Sequence, residues 1–296
     1  MRRRLACAGM AVEAITDAAV GILSLGDLRV RRLGFGAMRI TGEGVWGEPA
    51  DRGEALAVLR RALELGINLI DTADSYGPQV SEELIAEALH PYPEDLVIAT
   101  KGGFARPGPG KWSGDGRPEH LRAACEGSLR RLRIDRIDLY QLHVPDRDVP
   151  YEESVGALKE LRDEGKVRQI GVSNVDLDQL ATARGIVEVV SVQNRFNLGD
   201  RHSADVLEAC QAAGIGFIPW FPLNAGSLAE PGGPASEIAD RHDATAAQVA
   251  LAWLLGLPAT LPIPGTGSVA HLEENVAAAS LRLSAEEMAQ LSAAAG

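Results

Sequence analysis

The chain is poor in cysteine, in aromatic residues, in clustered basic residues and in long apolar runs. Three cysteines, Cys7, Cys125 and Cys210, stand far apart among 296 residues. An odd, scattered set makes neither a disulfide framework nor a metal cluster, so a reducing cytoplasm is the expected compartment and no metal is expected. Lys and Arg number 29 against 41 Asp and Glu, a net charge of −12, and the one basic run, Arg2 to Arg4, sits at the extreme N-terminus. Phosphate binding needs clustered cations, so a nucleic-acid partner is excluded. No stretch approaches the ~18 apolar residues of a membrane span. The N-terminus begins like a signal peptide, but Glu13 and Asp17 break its apolar run too early. Residues 1–22 read as a loosely ordered extension, leaving 23–296 as the folded unit.

A dinucleotide fingerprint is also lacking. "LGFGAMRITG" contains Gly34 and Gly36, but Arg39 stands where the third glycine belongs. Any nucleotide must therefore be bound without a Rossmann fold.

What the chain does have is strict alternation. Strand-like runs occur at 32–38, 67–73, 95–101, 136–143, 166–174, 189–194, 214–220 and 259–265. Segments of helical period lie between them, among them 54–66 and 152–165, each closed by glycine, and 118–132, which opens on Pro118. Alternation of this kind predicts a parallel sheet with crossover helices. Eight units in this length fit a single-domain α/β fold, a (β/α)8 TIM barrel, better than an open sheet. The segment 224–237, rich in Gly, Pro and Ala, falls inside the seventh unit and reads as a loop over the barrel top.

In such a barrel chemistry collects at the C-terminal ends of the strands. Asp71 ends the second strand with Tyr76 in its loop, Lys101 ends the third, and His143 ends the fourth. Each has an ordinary alternative: a turn cap, a packed phenol, a surface cation, a core histidine. Adjacent strands lie ~4.8 Å apart, so three neighbouring ends can gather all four side chains around one point. A lysine ammonium beside a tyrosine favours the phenolate, and an aspartate keeps that ammonium charged and in place. A neutral histidine can orient the reacting oxygen. The set makes an acid suited to protonating a carbonyl oxygen as hydride reaches carbon.

Within "LIDTADSYG", "VIATKGG" and "LYQLHVPD", these four residues resemble the tetrad of the aldo-keto reductase superfamily, and the likeness runs from about Leu25 to Leu291. The resemblance implies a (β/α)8 barrel that binds NADPH extended across its top, and reduction of an aldehyde or ketone to an alcohol. It implies nicotinamide contacts at Ser173, Asn174 and Gln193, and a stacking ring at Trp220 in "PWFPLNAG", with Phe221 and Pro222 beside it. Leu223 and Gly226 would then offer backbone N–H groups to the pyrophosphate. "IPGTGSVAHLEEN" is similar to the adenosine end, implying contacts at Pro264, Gly265, Thr266, Ser268, His271, Glu274 and Asn275.

The sequence departs from the family at one end of this path. Many members carry a lysine and an arginine where Gly265 and His271 stand, and those cations grip the 2′-phosphate of NADPH. Here neither formal charge is present and Glu273 and Glu274 are close by. The Thr266 and Ser268 hydroxyls, with N–H groups at the following helix start, are left to hold a phosphate. NADPH is the expected cofactor and NADH the alternative.

Met38, Trp46, Phe104 and Trp112 are expected to form the substrate wall, with Arg39 and Arg106 as anchors for an acidic group. "GVWGEPADR", "WFPL" and "IPGTGSVAHL" look closest to the bacterial pyridoxal-reductase-like branch, which implies pyridoxal-like or other aromatic aldehydes. Two other classes stay open at this level. Lys101 could be the Schiff-base lysine of a barrel aldolase, or the protein could bind NADPH as a regulatory subunit that barely turns over.

Overall fold

A computed structural model describes residues 12–223 and 234–293. Eleven strands are present among these residues. They are β1 (Ile22–Leu25), β2 (Leu28–Arg31), β3 (Phe35–Gly36), β4 (Leu69–Asp71), β5 (Val97–Gly102) and β6 (Phe104–Gly108). Then follow β7 (Lys111–Gly114), β8 (Ile137–Leu142), β9 (Val167–Ser173), β10 (Ser191–Gln193) and β11 (Gly216–Phe217). Seven of them form one parallel sheet in the order β11-β10-β9-β8-β5-β4-β3. Helices cover its outer side. One of them, Arg52–Glu64, starts on the Asp51 side chain, which accepts from Glu54 N, and buries Ala55, Val58, Leu59 and Ala62 along one stripe.

The eighth barrel strand is the expected segment 259–265, and its sequence explains its irregularity. Phe217 N donates to Ala259 O and Leu261 N to Phe217 O, both at 2.8 Å. On the other side Gly34 N donates to Pro262 O at 3.0 Å and Gly36 N to Pro264 O at 3.4 Å. The segment thus bridges β11 and β3 and closes the (β/α)8 barrel. Pro262 and Pro264 accept but have no N–H to return, so half the ladder to β3 is missing.

Odd-numbered residues of β4, β5, β8, β9 and β10 point inward. Registers pair Asp71 with Ala99, Lys101 with Gln141, Gln141 with Gly171, and Gln193 with Ser173. Lower in the barrel the same parity supplies Leu69, Val97, Ala99 and Leu139, which form an apolar plug with Leu25, Leu28 and Val30. Those last three come from the β1–β2 hairpin, an antiparallel pair across the N-terminal end of the barrel. The inner face is therefore apolar at the level of this plug and becomes polar toward the strand ends.

Three parts differ from the sequence reading. Residues 12–22 are packed rather than loose: Ile15 and Val20 are buried, Ile15 N donates to Leu65 O at 2.9 Å, and the segment around Val20 lies against residues 278–282. Thr16 caps a short helix, Asp17–Val20, and Asp17 pairs with Arg31 at 3.0 Å. Residues 1–11 lie outside the described ones. The β6–β7 hairpin, which no strand-like run had marked, stands over the barrel top. Of the segment 224–237, only residues from 234 are described, and they begin a helix, Pro234–Arg241.

At the seam, the backbones of the first and eighth strands come close. A Cβ on Gly36 would lie 2.6 Å from the carbonyl oxygen of Ile263, which belongs to the backbone and cannot swing away. Gly36→Ala is expected to lower stability by about 1–3 kcal/mol, the usual range for overpacking. Urea unfolding checks this, and a midpoint equal to that of the parent would mean the seam is more pliant than its geometry.

Candidate active site

Parity carries four polar side chains to the polar end of the barrel. Asp71 closes β4, Lys101 lies near the end of β5, Gln141 lies in β8, and Gln193 closes β10. Lys101 is fully buried and Asp71 is 2% exposed, so the pair is shielded from water and salt. Lys101 Nζ donates to Asp71 Oδ1 at 2.5 Å and to Thr72 O at 2.9 Å. Asp71 Oδ2 accepts from Gln193 Nε2 at 2.9 Å and from Gln141 Nε2 at 3.1 Å. Both carboxylate oxygens and two of the three ammonium N–H groups are thereby matched, as buried charges require.

Tyr76 and His143 stand above this pair. Lys101 Nζ lies 5.3 Å from the Tyr76 ring centroid, and the Tyr76 and His143 rings meet edge to face at 5.7 Å. Burial raises the Tyr76 pKa, Lys101 pulls it down and Asp71 pushes it up, for a net rise above the ordinary phenol value. The sequence reading gave Lys101 the deciding influence. Lys101 acts in that direction, but desolvation outweighs it. Burial also works against the Lys101 ammonium, yet Asp71 and then Tyr76 hold its pKa above the usual lysine value. Burial, followed by the Lys101 charge, drives the His143 pKa well below the histidine value, so the ring is neutral. Its Nδ1 lies 3.5 Å from Ser75 Oγ, and Phe104 packs on it at 4.6 Å.

The cleft above these groups has a volume of about 580 Å³. Met38, Phe104 and Trp112, three of the four expected substrate contacts, line it. Trp46 does not; it bridges to Gly77 and faces Arg106. Arg106, expected to anchor an acidic group, instead donates to the carbonyls of Ser75, Gly44 and Lys111.

Of the expected cofactor contacts, Ser173, Asn174 and Gln193 line the floor. Trp220, Phe221, Pro222 and Leu223 form one wall, and Pro264 and Gly265 continue it. Trp220 Nε1 donates to Asn174 Oδ1 at 3.0 Å, which ties the ring to the floor. Gln193 is less free than expected because its Nε2 serves Asp71. Gly226 lies outside the described residues.

Thr266, Ser268, His271, Glu274 and Asn275 lead away from the cleft into the helix Val269–Ala277. Asn275 is buried, His271 is exposed, and Glu274 accepts from Thr245 Oγ1 at 2.8 Å. Thr266 Oγ1 accepts from Ser268 N at 3.1 Å.

Two residues that the sequence reading passed over matter here. Gln141 is one; its signal was its place two residues before His143 in a strand, hence on the same inward face. Glu54 is the other: its carboxylate accepts from Val269 N at 2.9 Å and so occupies the helix start expected to meet a phosphate. Nothing in the local sequence marks Glu54, which lies 215 residues away.

Residues 32–295 match the model of the aldo/keto reductase family, and the chain belongs to it. It is an NAD(P)H-dependent oxidoreductase. An uncharacterized oxidoreductase of Schizosaccharomyces pombe is 48% identical over 282 residues, 95% of this chain and 92% of the relative. Pyridoxine 4-dehydrogenase of Escherichia coli strain K12 is 45% identical over 275 residues, 90% of this chain and 96% of the relative. A crystal structure of an aldo/keto reductase from Klebsiella pneumoniae with NADP and acetate superposes with a TM-score of 0.76 at 31% identity, covering 89% of this chain and 90% of that one. Among the described residues no helix is long and apolar enough to cross a membrane, and no cluster of side chains could hold a metal ion.

Asp74 lies in the loop between Asp71 and Tyr76, with its Oδ1 buried and unpartnered. Burial, with Glu82 adding to it, pushes its pKa up to about 8. Between the ordinary carboxylate range and about 8 the unfolded chain has released a proton that the folded chain keeps, so stability falls as pH rises through that window. Asp74→Asn removes this dependence. The melting temperature of the variant is expected to pull ahead of the parent between about pH 5 and about pH 8. A constant gap across that range would show that Asp74 ionises freely in the fold.

Proposed function

We propose that the chain reduces an aldehyde, of pyridoxal-like or other aromatic type, to the alcohol with NADPH, in the cytoplasm. The observation that carries the reading is the buried Lys101–Asp71 pair directly behind Tyr76 at the floor of an aromatic cleft. The residues present suit the cofactor. A flat ring, Trp220, is held beside amide and hydroxyl groups of Asn174 and Ser173, and an open glycine-lined seam at Gly265 leads on from it. Bound along this surface, NADPH would supply hydride to the carbonyl carbon.

The protein's part is to deliver a proton and fix geometry. Tyr76, protonated through the neutral range, donates to the carbonyl oxygen. As the proton leaves, the Lys101 ammonium steadies the phenolate that forms, an interaction stronger in the transition state than before it. Asp71 keeps Lys101 charged and still. Neutral His143 orients the carbonyl oxygen. A Schiff-base role for Lys101 needs a neutral amine, which Asp71 opposes. The E. coli relative named pyridoxine 4-dehydrogenase supports a ring-bearing substrate, as do Trp112 and Phe104 on the wall.

The 2′-phosphate end rests on an unexpected balance of charge. Residue 265 cannot carry a side chain easily, because a Cβ there would lie 2.4 Å from Gly36 O. It would also lie 3.7 Å from Arg39 Cγ, so Arg39 runs past the position where relatives keep a lysine. Arg39 is exposed, and Glu54 supplies the opposing charge at the helix start. We assign Arg39 to the phosphate.

Tyr76→Phe is expected to bind NADPH as the parent does and to reduce aldehydes roughly a hundred- to ten-thousandfold more slowly. The parent's rate should stay level through neutral pH, since His143 is already neutral, and fall only above the ordinary phenol pKa of ~10. An inflection near pH 6.5 that vanishes in a His143 variant would contradict a neutral ring.

Arg39→Gln is expected to weaken NADPH about tenfold and leave NADH unchanged, and Glu54→Gln to strengthen NADPH. Tryptophan-quenching titrations read both. Equal changes for the two nucleotides would remove Arg39 and Glu54 from cofactor choice.

A further inference from the structure

The β6–β7 hairpin is fastened to the barrel top largely through one residue. Arg106 Nε donates to Lys111 O at 3.0 Å within the hairpin. Its Nη1 donates to Ser75 O at 2.7 Å, next to Tyr76 in the loop after β4, and its Nη2 to Gly44 O at 3.2 Å in the loop after β3. The guanidinium also stacks on Trp112, 3.7 Å from the ring centroid, and faces Trp46 at 5.5 Å. Among the described residues, no other side chain of 104–114 hydrogen-bonds outside the hairpin. All of β7 is exposed, and the remaining ties are ring contacts, Phe104 packed on His143 and Trp112 edge-on to Tyr76 and His143.

We infer that Arg106 is a positioning residue that latches the 104–114 hairpin and so holds Trp112 as the outer wall of the pocket, setting the preference for aromatic carbonyls. The inference rests on the reductase reading given above. Trp112 sits edge-on to Tyr76 at 6.4 Å and to His143 at 6.5 Å, while Arg106 covers one of its faces. The indole is 38% exposed; its other contacts are edge-on, including Phe104 at 5.3 Å, so Arg106 is the group that stacks on its face. A ring-bearing aldehyde seated at Tyr76 packs against this wall. A two- or three-carbon aldehyde does not reach it. The contact is of a kind lysine cannot copy: a planar fork serving three separate carbonyls while stacking between two indoles.

The test compares the parent with Arg106→Met, Arg106→Lys and Trp112→Ala. For an aromatic aldehyde, both Arg106 variants are expected to raise KM at least tenfold with kcat within threefold. For a short aliphatic aldehyde, kcat/KM should stay within threefold, and NADPH binding should not change. Trp112→Ala should raise the aromatic KM to a similar degree, with little added when it is combined with Arg106→Met. Recovery by Arg106→Lys would overturn the latch and restore Arg106 as a simple charge for acidic substrates. An equal loss for both aldehydes would overturn its role in selectivity.

A second readout needs no turnover. Hydrogen exchange of the 104–114 amides should speed up at least tenfold in Arg106→Met while the barrel strands stay protected, and unchanged exchange would overturn the latch. If the parent reduces no aldehyde with either nucleotide, the reductase reading fails and the exchange result alone decides whether Arg106 fastens the hairpin.

Discussion

The ion pair between Lys101 and Asp71 is the constraint around which the upper barrel is built. Two charges removed from water cost several kcal/mol each after relaxation, and their attraction offsets this only if every remaining polar edge is matched. That requirement accounts for Gln141 and Gln193 on the second carboxylate oxygen and for the Thr72 carbonyl on the ammonium. It accounts for Gly171 as well, since a Cβ there would lie 2.2 Å from Ser191 Oγ and 2.9 Å from Gln141 Cγ. The cost of leaving either charge alone, ~3–5 kcal/mol, makes the pair all-or-none and fixes Lys101 where Tyr76 can use it. Stability and chemistry here depend on the same four strand ends.

Much of this arrangement was legible in the sequence because two simple rules carry it. Strand period places every second residue inside, and a closed parallel barrel gathers strand ends at one rim. Asp71, Lys101 and His143 could therefore be brought together from spacing alone. The same rule reaches Gln141, but a glutamine inside an apolar run offers no chemistry by itself and became meaningful only beside Asp71. The eighth strand was found from its apolar run, whereas its broken ladder follows from Pro262 and Pro264. The hairpin at 104–114 escaped because β7 is exposed throughout, β6 is mostly half-buried, and neither shows the alternation that marks a half-buried strand.

Residues 12–22 show a different limit. Ile15 and Val20 are too few to announce a buried segment, and the parts of the chain that the segment meets, Leu65 and residues 278–282, lie far along it. Glu54 and Arg39 belong with them. Their positions relative to Gly265 and Val269 are set by closure of the barrel, which joins the first and last units across more than 200 residues of chain. Motif likeness pointed to residues that line the cleft but was silent on charges contributed from the opposite end of the sequence. The charges proposed to tune cofactor choice therefore lie at the seam, where both ends of the chain meet, and not in the adenosine-end motif alone.

The sparse aromatic content now has a physical reading. Of the four tryptophans, Trp253 is in the core, stacked with Phe196, while Trp46, Trp112 and Trp220 stand at the barrel top. The rest of the core is mainly Leu, Ile, Val and Ala, with a few further rings, Phe35, Tyr140 and Phe217, fully buried among them. Rings are stiff and present large apolar faces at small entropic cost, so they suit walls that must receive a flat ligand and give it up again. Each of the three barrel-top rings, Trp112 exposed and the others half-buried, has a polar tie: Trp220 to Asn174, and Trp46 and Trp112 to Arg106. Such ties keep a wall in position while leaving its face open. A buried ring would be better fixed, but it would have no surface left to offer a substrate.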